Sequence, residues 1–235
     1  MTDANALKHA AASEAVRLVQ DGMVVGLGSG STAELFLEVL AAKVAGGLQI
    51  TGVPTSRRVA ELAQGHGITI AHLEDVGRID LTVDGADEIQ RDSLHLIKGR
   101  GGALLREKLV AAATERVCIV ADSSKLVARL GEQQPVPVAV VPFGWRQTAD
   151  RIRQLGGEPT FRMQDSRPLV SDDHLFILDC HFGPITDPAA LAAALKGQLG
   201  VVEHGLFLGL AERAIVASSE GITILEPETV AAGAS

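Results

Sequence analysis

Three short stretches of the chain, two of them glycine-rich, carry hydroxyl, acidic or basic side chains suited to binding a small charged ligand. The first, Gly26 to Thr32 (Gly-Leu-Gly-Ser-Gly-Ser-Thr), stands between an apolar run and a helical pattern. Glycines let the backbone approach a ligand, and the N–H groups and dipole at a helix start attract an anion. With hydroxyls at Ser29, Ser31 and Thr32, the stretch is either a phosphate-binding loop or a turn with an ordinary helix cap.

This first stretch departs from two familiar nucleotide-binding patterns. A P-loop needs Gly-Lys-Ser/Thr, and no lysine stands between Gly26 and Ala33. A dinucleotide fingerprint started at Gly28 fits the small-residue spacing, but the acidic residue expected after the next strand is missing. Neither nucleotide pattern is therefore satisfied.

A second stretch places three carboxylates directly after an apolar run. Leu81-Thr-Val83 leads into Asp84-Gly-Ala-Asp-Glu88. Ligands bind at the carboxyl ends of strands in open α/β sheets, and clustered carboxylates repel one another unless something compensates. The turn has three possible interpretations: acidic residues that cap it, a Mg²⁺ site, or recognition of sugar hydroxyls with proton transfer.

A third stretch joins a basic glycine-rich turn to a helix. Lys98 to Gly102 (Lys-Gly-Arg-Gly-Gly) follows an apolar run, where Lys98 is placed to meet a phosphate or a developing oxyanion. Glu107 shares a helix face with apolar residues at three- and four-residue spacing, so we expect a partly buried carboxyl with the raised pKa that suits a general base. An ordinary exposed Arg-Glu-Lys helix face is the alternative.

The elements that must position these stretches alternate between strand and helix. Helical spacing predicts helices at 5–20, 33–45, 57–64 and 103–113, and apolar runs predict strands at 23–28, 48–53, 68–70, 81–83, 94–97 and 117–120. The alternation predicts an α/β fold with a doubly wound, mostly parallel sheet.

The following segment has a different order of elements. From about 131 to 205 the pattern is strand, helix, strand, strand, helix, strand, which is typical of an inserted ferredoxin-like α+β domain. Its first strand, at 136–141, carries Pro137 and is flanked by Pro135 and Pro142, so we expect it at a sheet edge. The predicted division is a main catalytic domain of 1–130 and 206–235, with strands at 213–216 and 222–225 rejoining the main sheet, and a smaller domain of 131–205.

Composition and charge argue against several classes of protein. Hydrophobic residues make up 46% of the chain and aromatic residues only 3%, which favours a large aliphatic core. A net charge of −8 without a long basic run argues against a nucleic-acid partner. The N-terminus lacks a signal-peptide pattern, and no stretch approaches the roughly 20 apolar residues of a membrane helix, so we expect no membrane partner and a cytoplasmic location.

Cysteine and histidine, which often bind metals, show no such grouping. Cys118 and Cys180 stand in separate apolar runs and are expected to be buried free thiols. The histidines have no convincing metal-ligand spacing.

The order of these motifs is more specific than any one of them. Ala121-Asp-Ser-Ser-Lys125 and His204-Gly-Leu-Phe207 follow the three stretches. Together they resemble the ribose-5-phosphate isomerase A family over residues 5–228. The resemblance implies interconversion of ribose 5-phosphate and ribulose 5-phosphate in the pentose phosphate pathway, and a main α/β domain with a ferredoxin-like insert. It also implies no metal or organic cofactor, which argues against the Mg²⁺ interpretation.

The resemblance also implies roles for individual residues. Glu107 is the expected proton acceptor, Asp84 the candidate for moving the ring-opening proton, and Lys98 the group that stabilises the cis-enediolate. Residues expected to line the substrate site are Ser29, Gly30, Ser31, Thr32, Asp84, Gly85, Ala86, Asp87, Lys98, Gly99, Arg100, Gly101 and Lys125. Departures from the family pattern are Ser29 for Thr, Arg100 for Gly and Leu105 for a small polar residue.

A sugar-phosphate sensor without turnover is the rival interpretation, because regulators use a similar scaffold. Such proteins usually carry a basic helix-turn-helix, whereas residues 1–20 hold only Lys8 and Arg17 as lysine or arginine. Glu107 discriminates between the two classes, since a sensor needs no base. The family further suggests a homo-oligomer, either a dimer or a tetramer.

Overall fold

The computed structural model describes residues 4–227. Its α-helices are α1 (Ala4–Ala15), α2 (Ser31–Ala45), α3 (Arg57–Gly65), α4 (Leu104–Ala112), α5 (Trp145–Gln154) and α6 (Pro188–Lys196). Short 3-10 helices span Val16–Leu18, Leu73–Asp75 and Ser123–Lys125. The strands are β1 (Val24–Leu27), β2 (Thr51–Pro54), β3 (Thr69–Ile70), β4 (Ile79–Asp84), β5 (Glu88–Gln90), β6 (Leu96–Ile97), β7 (Thr114–Asp122), β8 (Leu126–Val127), β9 (Val136–Val140), β10 (Glu158–Phe161), β11 (Met163–Gln164), β12 (Arg167–Pro168), β13 (Phe176–His181), β14 (Val201–His204), β15 (Leu206–Phe207), β16 (Arg213–Ser218) and β17 (Gly221–Leu225).

The main sheet has the strand order β17-β16-β7-β4-β1-β2-β3 and is parallel except for β17. Its central strands β1, β4, β7 and β16 are rich in β-branched residues and largely buried, as parallel strands require, whereas the edge strand β17 is largely exposed. Cys118 and Val120 of β7 pack in one core with α1, α2 and α3, whereas Ile119 packs with Ala111 of α4 in another. The predicted doubly wound α/β sheet is confirmed, and β16 and β17 rejoin it as expected.

The small sheet, formed by β9, β10, β13 and β14, has the order β10-β13-β9-β14 with antiparallel neighbours. With α5 and α6 between its strands, this is the predicted ferredoxin-like arrangement. The expectation of an edge position for the strand at 136–141 is wrong, because β9 lies between β13 and β14. Pro135 and Pro142 lie outside β9, and Pro137, near its start, takes part through its carbonyl, which accepts the N–H of Gly205 at 2.7 Å.

A third sheet, with the order β15-β6-β5-β8, was not predicted. The run at 94–97, expected in the main sheet, contributes only β6 to this sheet instead. Leu94 has a φ of +51° and forms a turn after β5, so the chain folds back on itself instead of crossing over to the main sheet. This sheet brings the end of the acidic turn next to Lys98, since Asp87 N–H donates to Ile97 O at 2.8 Å.

Three further observations concern the sequence predictions. Cys118 and Cys180 are buried free thiols, as expected, and burial raises the pKa of Cys118 to about 12. No helix within the described part of the chain is long and apolar enough to cross a bilayer. The division at residues 131 and 205 stays a prediction, and residues 228–235 of the predicted main domain lie outside the described residues.

Candidate active site

One cavity of about 330 Å³ lies at the carboxyl ends of β1 and β4. Its lining consists of every predicted site residue except Asp84, together with Lys8: Lys8, Ser29, Gly30, Ser31, Thr32, Gly85, Ala86, Asp87, Lys98, Gly99, Arg100, Gly101, Glu107 and Lys125. The structure therefore brings the two glycine-rich stretches and the acidic turn together around one volume, which is the position that an open α/β sheet favours for a ligand.

Lys98 is the buried cation of the cavity. Its Nζ donates to Gly85 O at 2.6 Å and lies 2.8 Å from Oδ2 of Asp84 and 3.4 Å from Oε1 of Glu107. Burial alone would lower the pKa of Lys98, but the charges of Asp84 and Glu107 more than offset this and hold it above its ordinary value. The side chain is therefore a permanent positive charge at the wall of the cavity.

Glu107 projects from the first turn of α4 and is only 5% exposed. Burial raises the pKa of Glu107 to about 8; Asp84 and Asp87 add to this rise, and Lys98 opposes it. The Oε2 atom is buried and has no hydrogen-bond partner among the described residues. A carboxyl group with one free oxygen and a pKa near neutrality can accept a proton and return it.

Asp84 lies behind the cavity wall, and its carboxylate is held on all sides. Oδ1 accepts the N–H groups of Ser29 at 3.1 Å and Gly85 at 2.7 Å, while Oδ2 pairs with Lys98. Burial raises the pKa of Asp84, and the charge of Lys98 opposes part of that rise. Asp87, by contrast, lines the cavity and accepts the N–H of Arg100 at 3.0 Å.

The N-terminus of α2 also lines the cavity. Gly30 has a φ of +97° and precedes the helix, and no side chain of the described residues caps this end. The first N–H groups of α2 are thus left for an anion, which favours a phosphate-binding loop over the simple cap. Lys8 Nζ donates to Ser31 Oγ at 3.0 Å, and Thr32 and Lys125 line the same cavity.

The hydroxyl of Ser29 is engaged elsewhere. Its Oγ lies 2.8 Å from Thr55 Oγ1 and donates to Ser56 Oγ at 3.0 Å, so Ser29 reaches the cavity without a free hydroxyl. The glycine before it has a packing role: a Cβ added at Gly28 would lie 2.3 Å from Oδ1 of Asp84. Gly28 thus allows the end of β4 to approach the loop.

The turn from Lys98 to Gly102 is tied to the strand connection at Gly205. Lys98 N–H donates to Gly205 O at 2.9 Å, and a Cβ added at Gly205 would lie 2.2 Å from Lys98 O. Phe207 lies beneath the ammonium group of Lys98, with its ring centroid 5.5 Å from Nζ. The motif from His204 to Phe207 therefore supports the turn from the side away from the cavity, a role that the sequence alone did not indicate.

Glu88 ends the acidic turn but does not face the cavity. Its fully buried carboxylate accepts the N–H groups of Gly131, Gln133 and Gln134 at 2.6, 2.6 and 2.7 Å. The turn thus contributes Asp87 to the cavity and uses Glu88 to hold the segment that leads into β9. Within residues 4–227, no group of three His, Cys, Asp or Glu side chains is arranged to hold a metal ion.

Lys8 is the cavity residue that sequence reasoning missed. Along the chain it is one of two lysine or arginine residues near the N-terminus, although within Ala4–Ala15, whose other charged residue is Glu14, it is the single lysine or arginine. Its position depends on how α1 packs beside α2, which spacing along the chain does not reveal.

Comparison with known proteins gives one consistent family. A family model described as Ribose 5-phosphate isomerase A (phosphoriboisomerase A) matches residues 51–221. Proteins named Ribose-5-phosphate isomerase A from Gloeobacter violaceus and a Synechococcus species are 52% and 54% identical, over 96% of this chain and 98% and 99% of their own lengths.

Solved structures agree with this result. Ribose 5-phosphate isomerase A from Methanocaldococcus jannaschii has a TM-score of 0.90 at 37% identity, covering 94% of this chain and 98% of the other. A D-ribose-5-phosphate isomerase in complex with phospho-erythronic acid has a TM-score of 0.92 at 38% identity, covering 96% and 100%.

Proposed function

We propose that Glu107 is the base that carries the proton between C2 and C1 of the substrate of this chain, which belongs to the ribose 5-phosphate isomerase A family. The chain interconverts ribose 5-phosphate and ribulose 5-phosphate, a reaction of the pentose phosphate pathway. The observation that carries this proposal is the Oε2 atom of Glu107, which has no hydrogen-bond partner among the described residues, on a buried carboxyl whose pKa is raised to about 8. The same cavity contains a helix end that suits a phosphate.

Two parts of the cavity suit the two ends of the substrate. The N-terminus of α2, with Ser31, Thr32 and the cations Lys8 and Lys125, suits the dianionic phosphate. Glu107 and Lys98, on the third stretch, suit the carbons where the reaction occurs. Phosphate binding far from the reacting carbons holds them in register with the base.

Ring opening precedes the isomerisation and moves a proton between a hydroxyl group and the ring oxygen. Asp84 lies behind the cavity wall, so it would assist this transfer indirectly, by holding the ammonium group of Lys98, while Asp87 takes the proton from the hydroxyl group and returns it to the ring oxygen. Asp87 lines the cavity and is placed to contact a sugar hydroxyl directly. Asp84 can fix the ammonium of Lys98, because it is itself held by two backbone N–H groups.

Isomerisation then follows by way of a cis-enediolate. Glu107 removes the proton from C2 of the open aldose, and the electron pair moves to the carbonyl oxygen at C1. The ammonium of Lys98 stabilises the negative oxygen, in a buried place where a charge interacts strongly. Glu107 returns its proton to C1, the hydroxyl proton on O2 is transferred to O1, and the ketose results.

We further propose a cytoplasmic, homo-oligomeric enzyme without a nucleic-acid partner. The net charge of −8 supports the last point. Phe143, which follows β9, and Leu199, which precedes β14, lie at the same end of the small sheet, are 93% and 77% exposed, and offer apolar contact area for a second copy. Light scattering of the purified protein measures the oligomeric state, and a monomer at micromolar concentration would contradict this part.

Conversion of ribose 5-phosphate in D₂O tests the enediolate route. Proton return from a carboxyl group that exchanges with solvent places deuterium at C1 of ribulose 5-phosphate, whereas a direct hydride shift places none there. The same assay after prolonged EDTA treatment should give an unchanged rate. A loss of rate that Mg²⁺ restores would revive the metal interpretation of the acidic turn.

A further inference from the structure

Arg162 stands directly after β10 and reaches from the small sheet to the turn that carries Lys98. We propose that Arg162 is a positioning residue for the isomerisation: it fixes the backbone of this turn and, through it, the ammonium group of Lys98. The inference rests on the role proposed above for Lys98, and it assigns a function in the reaction to an ion pair outside the cavity.

The guanidinium group of Arg162 joins a carboxylate to the turn. Its Nε lies 2.8 Å from Oδ2 of Asp179, and its Nη2 bonds to the other oxygen of the same carboxylate. Its Nη1 donates to two consecutive carbonyl oxygens, those of Gly99 at 2.7 Å and Arg100 at 2.8 Å. The planar guanidinium group, called the fork below, therefore binds the Asp179 carboxylate on one side and the two carbonyl oxygens of the turn on the other.

The support of this fork is rigid. Arg162 N–H donates to Ile177 O at 3.0 Å, and its own carbonyl accepts Leu169 N–H at 3.0 Å. Asp179 lies in β13, which pairs with β10 on one side and β9 on the other. Because the Arg162 side chain is only 11% exposed, its position is set by the sheet and not by solvent.

The fork fixes the orientation of two consecutive peptide groups. A trans peptide carries its C=O and its N–H on opposite sides, and no cis peptide occurs in residues 4–227. With the carbonyl of Gly99 directed at Arg162, the N–H of Arg100 is directed the other way, where it donates to Asp87 at 3.0 Å. The N–H of Gly101 is likewise directed away from Arg162, and Gly101 lines the cavity.

The first residues of the turn make this restraint necessary. Gly99 has a φ of +105°, a conformation that glycine enters and leaves at little cost. Lys98 directly precedes this flexible glycine. Without the fork, the two carbonyl groups lose a buried charged donor and the turn is free to rotate, which moves Lys98 relative to Glu107. A displacement of about 1 Å in a catalytic group can lower the rate on the order of 10²-fold.

Steady-state kinetics of Arg162→Met test the inference. We expect kcat to fall on the order of 10- to 100-fold while KM changes little, since we assign the phosphate to the N-terminus of α2 and not to this turn. Arg153→Met is the matched control, because Arg153 is also paired with an aspartate, Asp150 of α5, but lies on the exposed surface. This control should keep the wild-type kcat.

A double substitution separates positioning from loss of stability. Once Lys98 has been replaced by alanine, there is no ammonium left to position, so Arg162→Met added to Lys98→Ala should lower kcat little further. A purely structural role would instead reduce kcat by the same factor in both backgrounds. Thermal unfolding of each variant verifies that the assays are run on folded protein.

Two results would overturn the inference: a folded Arg162→Met variant with kcat within about twofold of wild type, or full multiplication of the two defects. If Arg162→Met does not fold, Asp179→Asn replaces it in both assays. This variant leaves the guanidinium group of Arg162 in place but removes the charge that orients it. The expected fall in kcat is smaller, and the same two results would overturn the inference. Failure of the role proposed for Lys98 is distinguishable, because Lys98→Ala alone would then keep the wild-type kcat and raise only KM.

Discussion

The Nζ atom of Lys98 lies 3.4 Å from Oε1 of Glu107, so that a permanent cation and a base with a raised pKa share one wall of the cavity. The contact leaves the second oxygen of Glu107 without a partner among the described residues. We assign the two groups different roles: Glu107 takes the proton from carbon, and Lys98 stabilises the oxygen that becomes negative.

Replacement of Glu107 by glutamine should nearly abolish turnover. Glutamine keeps the shape of the side chain but cannot accept the proton, and loss of a general base costs roughly 10²–10⁴ in rate or more. Substrate binding should be largely intact, which calorimetry can measure. Glu115→Gln, at an exposed ion pair with Arg78, is the control. If Glu107→Gln kept more than about a tenth of the activity, another group would have to be the base.

The rate should depend on the ionisation of Glu107. Its pKa is raised to about 8, and only the ionised carboxylate can act as the base, so kcat/KM should fall as the pH drops below about 8 and level off above it. The fall should approach about tenfold per pH unit until the phosphate of the substrate begins to titrate near pH 6. If kcat/KM were constant between pH 6 and about pH 8, the pKa of the base would lie well below the raised value that burial of Glu107 implies.

Replacement of Lys98 by alanine should harm catalysis more than binding. The phosphate keeps the helix end and Lys8 when Lys98 is removed, whereas the enediolate loses its buried cation. Loss of one preorganised donor typically lowers kcat on the order of 10²–10³. Steady-state kinetics decide the matter, because an unchanged kcat with a raised KM would assign Lys98 to the phosphate.

Replacement of Lys8 by methionine should have the opposite signature. Lys8 contacts Ser31 at the helix end that we assign to the phosphate, so its loss should raise KM on the order of tenfold and leave kcat nearly unchanged. Arg17→Met removes a nearby cation that is paired with Glu14 and should change neither constant. A fall in kcat with constant KM would show that Lys8 acts on the reaction itself.

The sequence predicts those parts of the fold that depend on local pattern. The alternation of elements identified the main sheet, and the strand–helix order of 131–205 identified the ferredoxin-like arrangement. Long-range pairing is less accessible. The prolines around β9 indicated an edge, but they lie at its ends, and β13 and β14 occupy both of its sides. The two-residue strand β6 is too short for its partner sheet to be recognised from periodicity.

For the site, residue type and order identified the cavity lining but not which way each side chain turns. Asp84, Asp87 and Glu88 look equivalent along the chain, yet one lies behind the wall, one lines the cavity and one holds the segment before β9. Ser29 donates its hydroxyl to Ser56, whereas Ser31 bonds to Lys8. These differences arise from packing between distant segments, which spacing along the sequence does not reveal.

Because Lys98 N–H bonds to Gly205 O, and β6 pairs with β15, the active site can be completed only late in the synthesis of the chain. During synthesis, Glu107 and both glycine-rich turns emerge well before the strands of the small sheet. Gly205, which accepts the N–H of Lys98, arrives only after more than a hundred further residues. Closing so long a loop carries an entropic cost, and domains that emerge first tend to fold first. A nascent chain that ends before Gly205 would hold its catalytic groups without holding them in place, so catalytic competence should appear only near the completion of translation.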